Sequence, residues 1–326
     1  MINSKIIKMI QLLTHYVRRL LDSYRDTIRV IKHFDLIKLN GKLIILKILI
    51  IRFFYSFSFI RNFKKISYKS EKLKSKFFLE KEINLFKDIK QIDEIGYSKT
   101  YTINESLKKE FLKMVFSCKD LDFKKLNLDA SEIMKKNNED INQYFSRLKQ
   151  KKVSKVIGYL DLKKDTILRD FLTSNEMLTF VKNYLNSDIA SITASFFISN
   201  PVTIGEKDKY SNAQYFHWDN DFKKFLKLYI YLTDVDHESG PHLYVEKSHK
   251  FKKKEHRLCR LFSDSNIYQN YDNIKEFNGK AGSSFFVDSY GLHKGKEPKK
   301  NSRILLNIHF GSDKIFYTPN DIIVKL

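Results

Sequence analysis

An α+β chain is predicted, with a helical first half and a β second half, and two features of the sequence carry that expectation. Up to about Leu185, apolar residues return at three- or four-residue spacing in several separate stretches, the period of amphipathic helices. From about Ile192 onward the texture changes to short apolar alternations broken by Gly, Pro, Asn and Asp, the mark of strands and turns. The length of 326 residues suits one large domain with an appendage better than two complete domains. A hydrophobic share of 42% and an aromatic share of 14% supply a core despite 30% charged residues.

Taken in order, the first element runs from Lys5 to His33, where Ile6, Ile10, Leu13, Val17, Leu20, Tyr24, Ile28 and Ile31 mark one face of a helix whose other face is basic. After a break at Asn40 and Gly41, the segment Leu43 to Ile60 (LIILKILIIRFFYSFSFI) approaches the length of a bilayer span, but Lys47 and Arg52 argue against a simple transmembrane helix. Two readings of this pair stand side by side. Either the helices pack on the main domain or on a second subunit, or residues 5–60 lie in the headgroup region of an anionic membrane, their cations snorkelling toward phosphate. The run FKKISYKSEKLKSK (Phe63 to Lys76) reads as a linker. Residues 1–64 are therefore expected to form a basic amphipathic helical segment and residues 65–326 the main domain. Helical patterns follow at Glu80 to Ile89, Asn104 to Cys118 and Ser174 to Leu185.

A net charge of +22 invites a nucleic-acid reading, because basic surfaces gain affinity by releasing counterions from phosphates. Only eleven of the 60 basic residues are arginine, however, and the lysines are scattered in a chain also rich in Ile, Asn, Phe and Tyr. A lysine-coated surface is expected, not a nucleic-acid site. Cys118 and Cys259 are isolated and offer neither a CxxC zinc or redox pair nor a disulfide framework. Lys5, Lys8, Arg18 and Arg19 interrupt the first apolar residues, unlike a secretory signal. A cytoplasmic location is expected, peripheral at the membrane if the N-terminal helices bind lipid.

The chemistry is concentrated in NAQYFHWDNDFKKFLKLYIYLTDVDHESGPHLYVEKSHK, Asn212 to Lys250. His217 and Asp219 stand two residues apart, so on an extended strand both project from one face and offer a metal an imidazole and a carboxylate. His293, in SYGLHKGKEP, is placed at a strand end to supply a third ligand. Two histidines and one carboxylate on one face of a metal leave the opposite positions open, the arrangement of non-haem iron(II) oxygenases. Ten residues after His293 comes Arg303, in NSRILLNIHF. An antiparallel hairpin would return it to the level of the metal, where its planar fork can hold a carboxylate in two hydrogen bonds. Along Leu228 to Thr233, Tyr229, Tyr231 and Thr233 share a face expected to look inward, and by the same alternation Leu305, Asn307 and His309 lie on the Arg303 face.

Asn212 to Phe310 resembles the phytanoyl-CoA dioxygenase family of iron(II)- and 2-oxoglutarate-dependent enzymes, through HWD, the strand LYIYLTDVD running into ESGPHLYVEKSHK, GSSFFVDSYGLH, and NSR with its following strand. Glu94 to Asn200 is similar to the family's helices in texture only, and residues 1–64 have no counterpart. The resemblance implies that His217, Asp219 and His293 bind Fe(II), that Arg303 pairs with the distal carboxylate of 2-oxoglutarate, and that Tyr229 stands beside that cosubstrate. It also implies a double-stranded β-helix, a cupin-like jelly roll, with flanking helices and the metal in the barrel mouth. The implied reaction consumes dioxygen and 2-oxoglutarate, releases succinate and carbon dioxide, and hydroxylates a small or lipid-linked organic substrate. Asp219 favours hydroxylation, because related halogenases carry a small residue in its place. Two departures stand out. The family's Pro-Gly-Ser-His turn reads Glu246, Lys247, Ser248, His249, which suggests an altered loop, and a small hydroxyl residue two after the distal histidine is replaced by Gly295. His249 is expected to be a structural turn residue, and His237, His242 and His256 loop residues. The rival readings are an inactive binding module on the same fold and a membrane-associated interaction protein.

Overall fold

The structure is a computed structural model that describes residues 72–122, 129–203, 205, 213–220, 223–257 and 261–312. The segment 1–64, and with it the membrane-contact reading of residues 5–60, lies outside the described residues, as does Cys259. Among the described residues no helix is long and apolar enough to cross a membrane.

The first half opens with a small ribbon, β1 (Lys72–Lys74) and β2 (Glu82–Asn84), followed by helix α1 (Leu85–Ile95). Asn84 caps α1 by accepting from the N–H of Lys87 at 3.0 Å, and Gly96 ends it at a φ of 101°. After β3 (Tyr101–Thr102) comes α2 (Glu105–Ser117), capped by Asn104, which accepts from the N–H of Leu107 at 2.8 Å. The chain continues through β4 (Leu121–Asp122), α3 (Ala130–Ile133) and α4 (Ile141–Gln150), where Asp140 and Gln143 form a reciprocal capping box. Then follow β5 (Lys155–Tyr159), α5 (Thr166–Leu172) and α6 (Asn175–Leu185). The helices expected at 80–89, 104–118 and 174–185 are thus present, the first shifted toward its asparagine cap. The strand β5, ahead of Ile192, is a correction. Its buried Val156 and Gly158 alternate with the half-buried Lys155, Ile157 and Tyr159, an alternation of only five residues in which one of the two buried positions is a glycine.

The β unit comprises β6 (Ser191–Ser199), β7 (Phe216–His217), β8 (Phe225–Tyr231), β9 (His242–Val245), β10 (Leu261–Phe262), β11 (Ile274–Phe277), β12 (Ser283–Val287), β13 (His293–Gly295) and β14 (Arg303–Gly311), with helix α7 (Asp264–Tyr268) after β10. Two sheets result, one ordered β3-β12-β8-β14-β6-β5-β4 and the other β10-β7-β13-β9-β11. All their pairings are antiparallel. From β6 to β9, and again from β12 to β14, successive strands alternate between the large and small sheets.

Alternation within each strand decides what the sheets bury. Leu226, Leu228 and Ile230 of β8, with Ile304, Leu306, Ile308 and Phe310 of β14, face the helices and join one core with Leu85, Ile89, Ile92 and Phe180. Phe180 of α6 stacks on Phe286 at 4.4 Å between ring centroids. The opposite faces of the same strands look across to the small sheet. There Tyr229, Tyr231, Phe285 and Leu305 pack with Tyr244 and Phe277 of the small sheet, and Phe277 stacks on Phe285 at 4.0 Å. The inward orientation expected for Tyr229 and Tyr231 is therefore observed.

The turn after β9, Glu246 to His249, is set by its backbone at Lys247. Lys247 adopts a φ of 62°, the left-handed conformation suited to glycine, and its N–H donates to the carbonyl of Ile95 at 3.0 Å. Lys247 therefore accepts local strain at a position in this turn where glycine would sit without it. Lys247→Gly is expected to raise stability by about 0.5 kcal/mol, the left-handed penalty of about 1–2 kcal/mol being partly offset by the greater freedom of an unfolded glycine. A thermal melt checks this: a rise of about 1–2 °C agrees, and a fall contradicts it.

Candidate metal centre

Strands β7 and β13 pair with His217 directly opposite His293, and their rings lie 4.3 Å apart between centroids. Two residues past His217 the strand has ended, and Asp219 is tied by its N–H to the carbonyl of Ser289 at 2.8 Å. Its carboxylate turns toward both imidazoles: Oδ1 is 4.0 Å from His217 Nε2 and Oδ2 is 3.5 Å from His293 Nε2. One ligand atom from each residue lies within 4.8 Å of the others. His217 Nδ1 donates to the carbonyl of Tyr215 and His293 Nδ1 to that of Gly291, each at 2.9 Å. A carbonyl only accepts, so both Nδ1 atoms carry the proton and both lone pairs sit on Nε2, toward the carboxylate. Two imidazole lone pairs and a carboxylate at this separation fit a divalent metal of the two-histidine, one-carboxylate type.

The charge states suit that role. Burial opposes ionisation of Asp219, but Lys227, His293 and His217 together outweigh it and hold its carboxyl well below the usual range. Lys227 Nζ donates to Asp219 Oδ2 at 2.7 Å. Burial, followed by the neighbouring His217, lowers the pKa of His293 to about 3, so it is neutral and ready to ligate at ordinary pH. Lys227 was missed in the sequence, although it lies two residues before Tyr229 on the same inward face. Lys227→Met is expected to destabilise the metal-free protein by about 3 kcal/mol, because it leaves a buried carboxylate without its countercharge. Added Mn(II) should recover most of this by replacing the ammonium, which melts with and without metal would measure. The sign with pH follows from the lowered carboxyl. The ion pair's contribution is complete above the ordinary carboxylate range and is lost as pH falls through the folded-state value.

Across the gap, Arg303 opens β14 on the large sheet, buried at 4% exposure. One Nη donates to the carbonyl of Gly240, the other to Ser199 Oγ at 3.5 Å, while Nε has no hydrogen-bond partner. A buried guanidinium with an unused donor fits an anionic ligand. The expected hairpin between His293 and Arg303 is not formed. β13 belongs to the small sheet, β14 pairs with β6 and β8 in the large one, and residues 296–302 carry the chain across. Arg303 thus faces the candidate ligands from the opposite wall. Tyr229, 5% exposed, lies between these groups; burial pushes its hydroxyl pKa up to about 12 and keeps it a neutral donor. Asn307 and His309 share the inward face, Asn307 donating to Ser195 Oγ at 3.1 Å and His309 lying 5.1 Å from the Phe225 ring.

The remaining histidines divide. His249 accepts its structural role, its Nε2 donating to the carbonyl of Asp93 at 2.8 Å. His237 lies in an exposed turn against Glu276. His256 is fully buried in a 3-10 turn between Tyr271 and Asn266, so it is a packed residue and not a simple loop one. His242 is the larger correction: it is an inward residue of β9, with its ring 4.7 Å from Tyr229 and 5.4 Å from His293. A cleft of about 650 Å³, lined by Thr203, Gln214, Tyr215, Asp264, Lys294 and Lys296 among others, includes none of the three candidate ligands.

The model of the phytanoyl-CoA dioxygenase (PhyH) family matches residues 119–302, a stretch that takes in His217, Asp219 and His293 and stops one residue before Arg303. No curated protein sequence matches the chain. Among solved structures, the chain is similar to the α-ketoglutarate-dependent epimerase SnoN of nogalamycin biosynthesis, at 11% identity and a TM-score of 0.46 over 70% of this chain and 83% of that one. It is also similar to HygX from Streptomyces hygroscopicus, solved with nickel and 2-oxoglutarate bound, at 11% identity and a TM-score of 0.47 over 71% and 88%. The carbocyclase SnoK of nogalamycin biosynthesis is similar at 13% identity and a TM-score of 0.43 over 69% and 82%.

Proposed function

Because the chain belongs to the phytanoyl-CoA dioxygenase family, we propose that it is an iron(II)- and 2-oxoglutarate-dependent dioxygenase that hydroxylates a small organic molecule. The observation that carries this is the convergence of His217, Asp219 and His293, one ligand atom from each within 4.8 Å of the others. In this assignment those three hold Fe(II), Arg303 holds the distal carboxylate of 2-oxoglutarate, and Tyr229 stands beside it. The alternation of strands between two facing antiparallel sheets supports a double-stranded β-helix, with the metal between its walls. Residues 65–326 form the catalytic domain and residues 1–64 a separate basic segment, which meets either that domain or an anionic membrane surface.

Bound iron and 2-oxoglutarate would supply the oxidising chemistry, with dioxygen consumed and succinate and carbon dioxide released. The protein's own part is orientation. Tyr215 and Gly291 hold the two imidazoles by their Nδ1 protons, and Lys227 holds one oxygen of Asp219. Retention of Asp219 favours hydroxylation over halogen transfer, since the carboxylate occupies the place a halide would need. On the inward face, the half-buried Ser195 and Asn307 and the buried His309 offer a polar substrate hydrogen-bonding groups.

Anaerobic titration of the metal-free protein with Fe(II) and 2-oxoglutarate tests this. A visible charge-transfer band, weakened in His217→Ala and in Arg303→Ala, is the expected result. A folded protein that gives no band would move the inactive binding-module reading to first place.

A further inference from the structure

His242 is 3% exposed and is held on several sides: its ring lies 4.7 Å from Tyr229, 5.7 Å from Phe277 and 5.8 Å from Phe285, between centroids. Its backbone N–H is taken by the hydroxyl of Tyr231 at 3.0 Å. The ring Nε2, by contrast, is buried with no hydrogen-bond partner. Natural interiors seldom leave such an atom unmatched unless something else completes it. The register shows where that could be. His242 pairs with Gly295, which brings no side chain into the gap, and a Cβ there would come within 3.4 Å of an Arg303 Nη. The space in front of Gly295 therefore lies between His242 and Arg303, and the His293 ring is 5.4 Å away on the other side. His242 thus stands between the metal ligands and the arginine.

We propose that His242 is a positioning residue for the cosubstrate, its Nε2–H donating a hydrogen bond to an oxygen of the dicarboxylate that runs from the metal to Arg303. This rests on the assignment of metal and 2-oxoglutarate given above. A flat ring wedged among Tyr229, Phe277 and Phe285 has little freedom, so its donor is aimed before the ligand arrives. It adds a neutral third contact to the paired donors of the guanidinium.

The test compares wild type, His242→Leu and His242→Gln, all loaded with Fe(II) without oxygen and titrated with 2-oxoglutarate and with its unreactive analogue N-oxalylglycine. His242→Leu is expected to weaken both ligands about 10- to 100-fold, the range for a hydrogen bond to a charged acceptor. Affinity for Mn(II) should stay within about twofold, and His242→Gln, which keeps an N–H donor, should recover part of the loss. Unchanged ligand affinity in His242→Leu, with metal binding intact, would overturn the proposal and leave His242 a packing residue. Should the leucine variant fail to fold, the imidazole nitrogen resonances of the Zn(II)-loaded wild type decide. A shift of the His242 Nε2 signal on adding 2-oxoglutarate supports the contact, and its absence overturns it. A wild type that binds neither metal nor cosubstrate would overturn the site assignment and this role together, whereas a wild-type band with an indifferent leucine variant removes only the role of His242.

Discussion

Asp219→Ala is expected to abolish 2-oxoglutarate turnover and to weaken Fe(II) binding by more than about 100-fold, beyond the 10- to 100-fold effect of losing a residue that merely supports a ligand. The substitution removes the only carboxylate of the candidate triad, so two neutral imidazoles would be left to hold a dication. It also strands Lys227, whose ammonium is bonded to Asp219 Oδ2 at 2.7 Å with only 12% of its side chain exposed. An unpaired buried cation should itself destabilise the fold. The two consequences can be separated by Asp219→Ala/Lys227→Met. Stability should return toward wild type in the double variant while metal binding stays lost. Calorimetric metal titration and thermal melts provide both readouts. Turnover retained in the single variant would show that the carboxylate is not a ligand.

Arg303→Ala comes next in size. The guanidinium is buried, already bonded to Gly240 and Ser199, and has an unpartnered Nε. A carboxylate seated on it would receive two charge-assisted bonds at about 1.5–3 kcal/mol each. Their loss should raise the KM for 2-oxoglutarate by about 100- to 10,000-fold, while Fe(II) affinity changes little because the candidate metal ligands lie on the other wall. Arg303→Lys should recover only a small part, since a point charge on a flexible stem cannot reproduce the fork. An unchanged KM would remove Arg303 from the site.

Much of the candidate site was legible because its information is local. His217 and Asp219 are two residues apart, and an extended backbone puts such residues on one face whatever the rest of the chain does. The inward set of β8 could be read for the same reason, since it alternates cleanly over Tyr229 and Tyr231. What stayed hidden depends on which sheet a strand joins. The link of residues 296–302 is short and rich in turn-forming residues, and nothing in it reveals that it changes walls. His242 follows Ser239, Gly240 and Pro241, a turn signal strong enough to extend over it. Its strand is buried on both faces, so no polar alternation marked the histidine as inward. Lys227 looked like one more solvated lysine in a chain full of them; only its place in the register of β8 sets it apart.

That change of walls has a mechanical consequence. The candidate metal ligands His217 and His293 belong to the small sheet, and Arg303, the candidate anion site, to the large one. A dicarboxylate reaching from one to the other would therefore act as a rivet through the sandwich, and its occupancy would be felt by the whole gap between the sheets. At a concentration 100 times its Kd such a ligand should stabilise the protein by about 2.7 kcal/mol. The added protection in hydrogen exchange should spread along β8, β9, β13 and β14 together, whereas a ligand touching one sheet alone would quiet only that sheet.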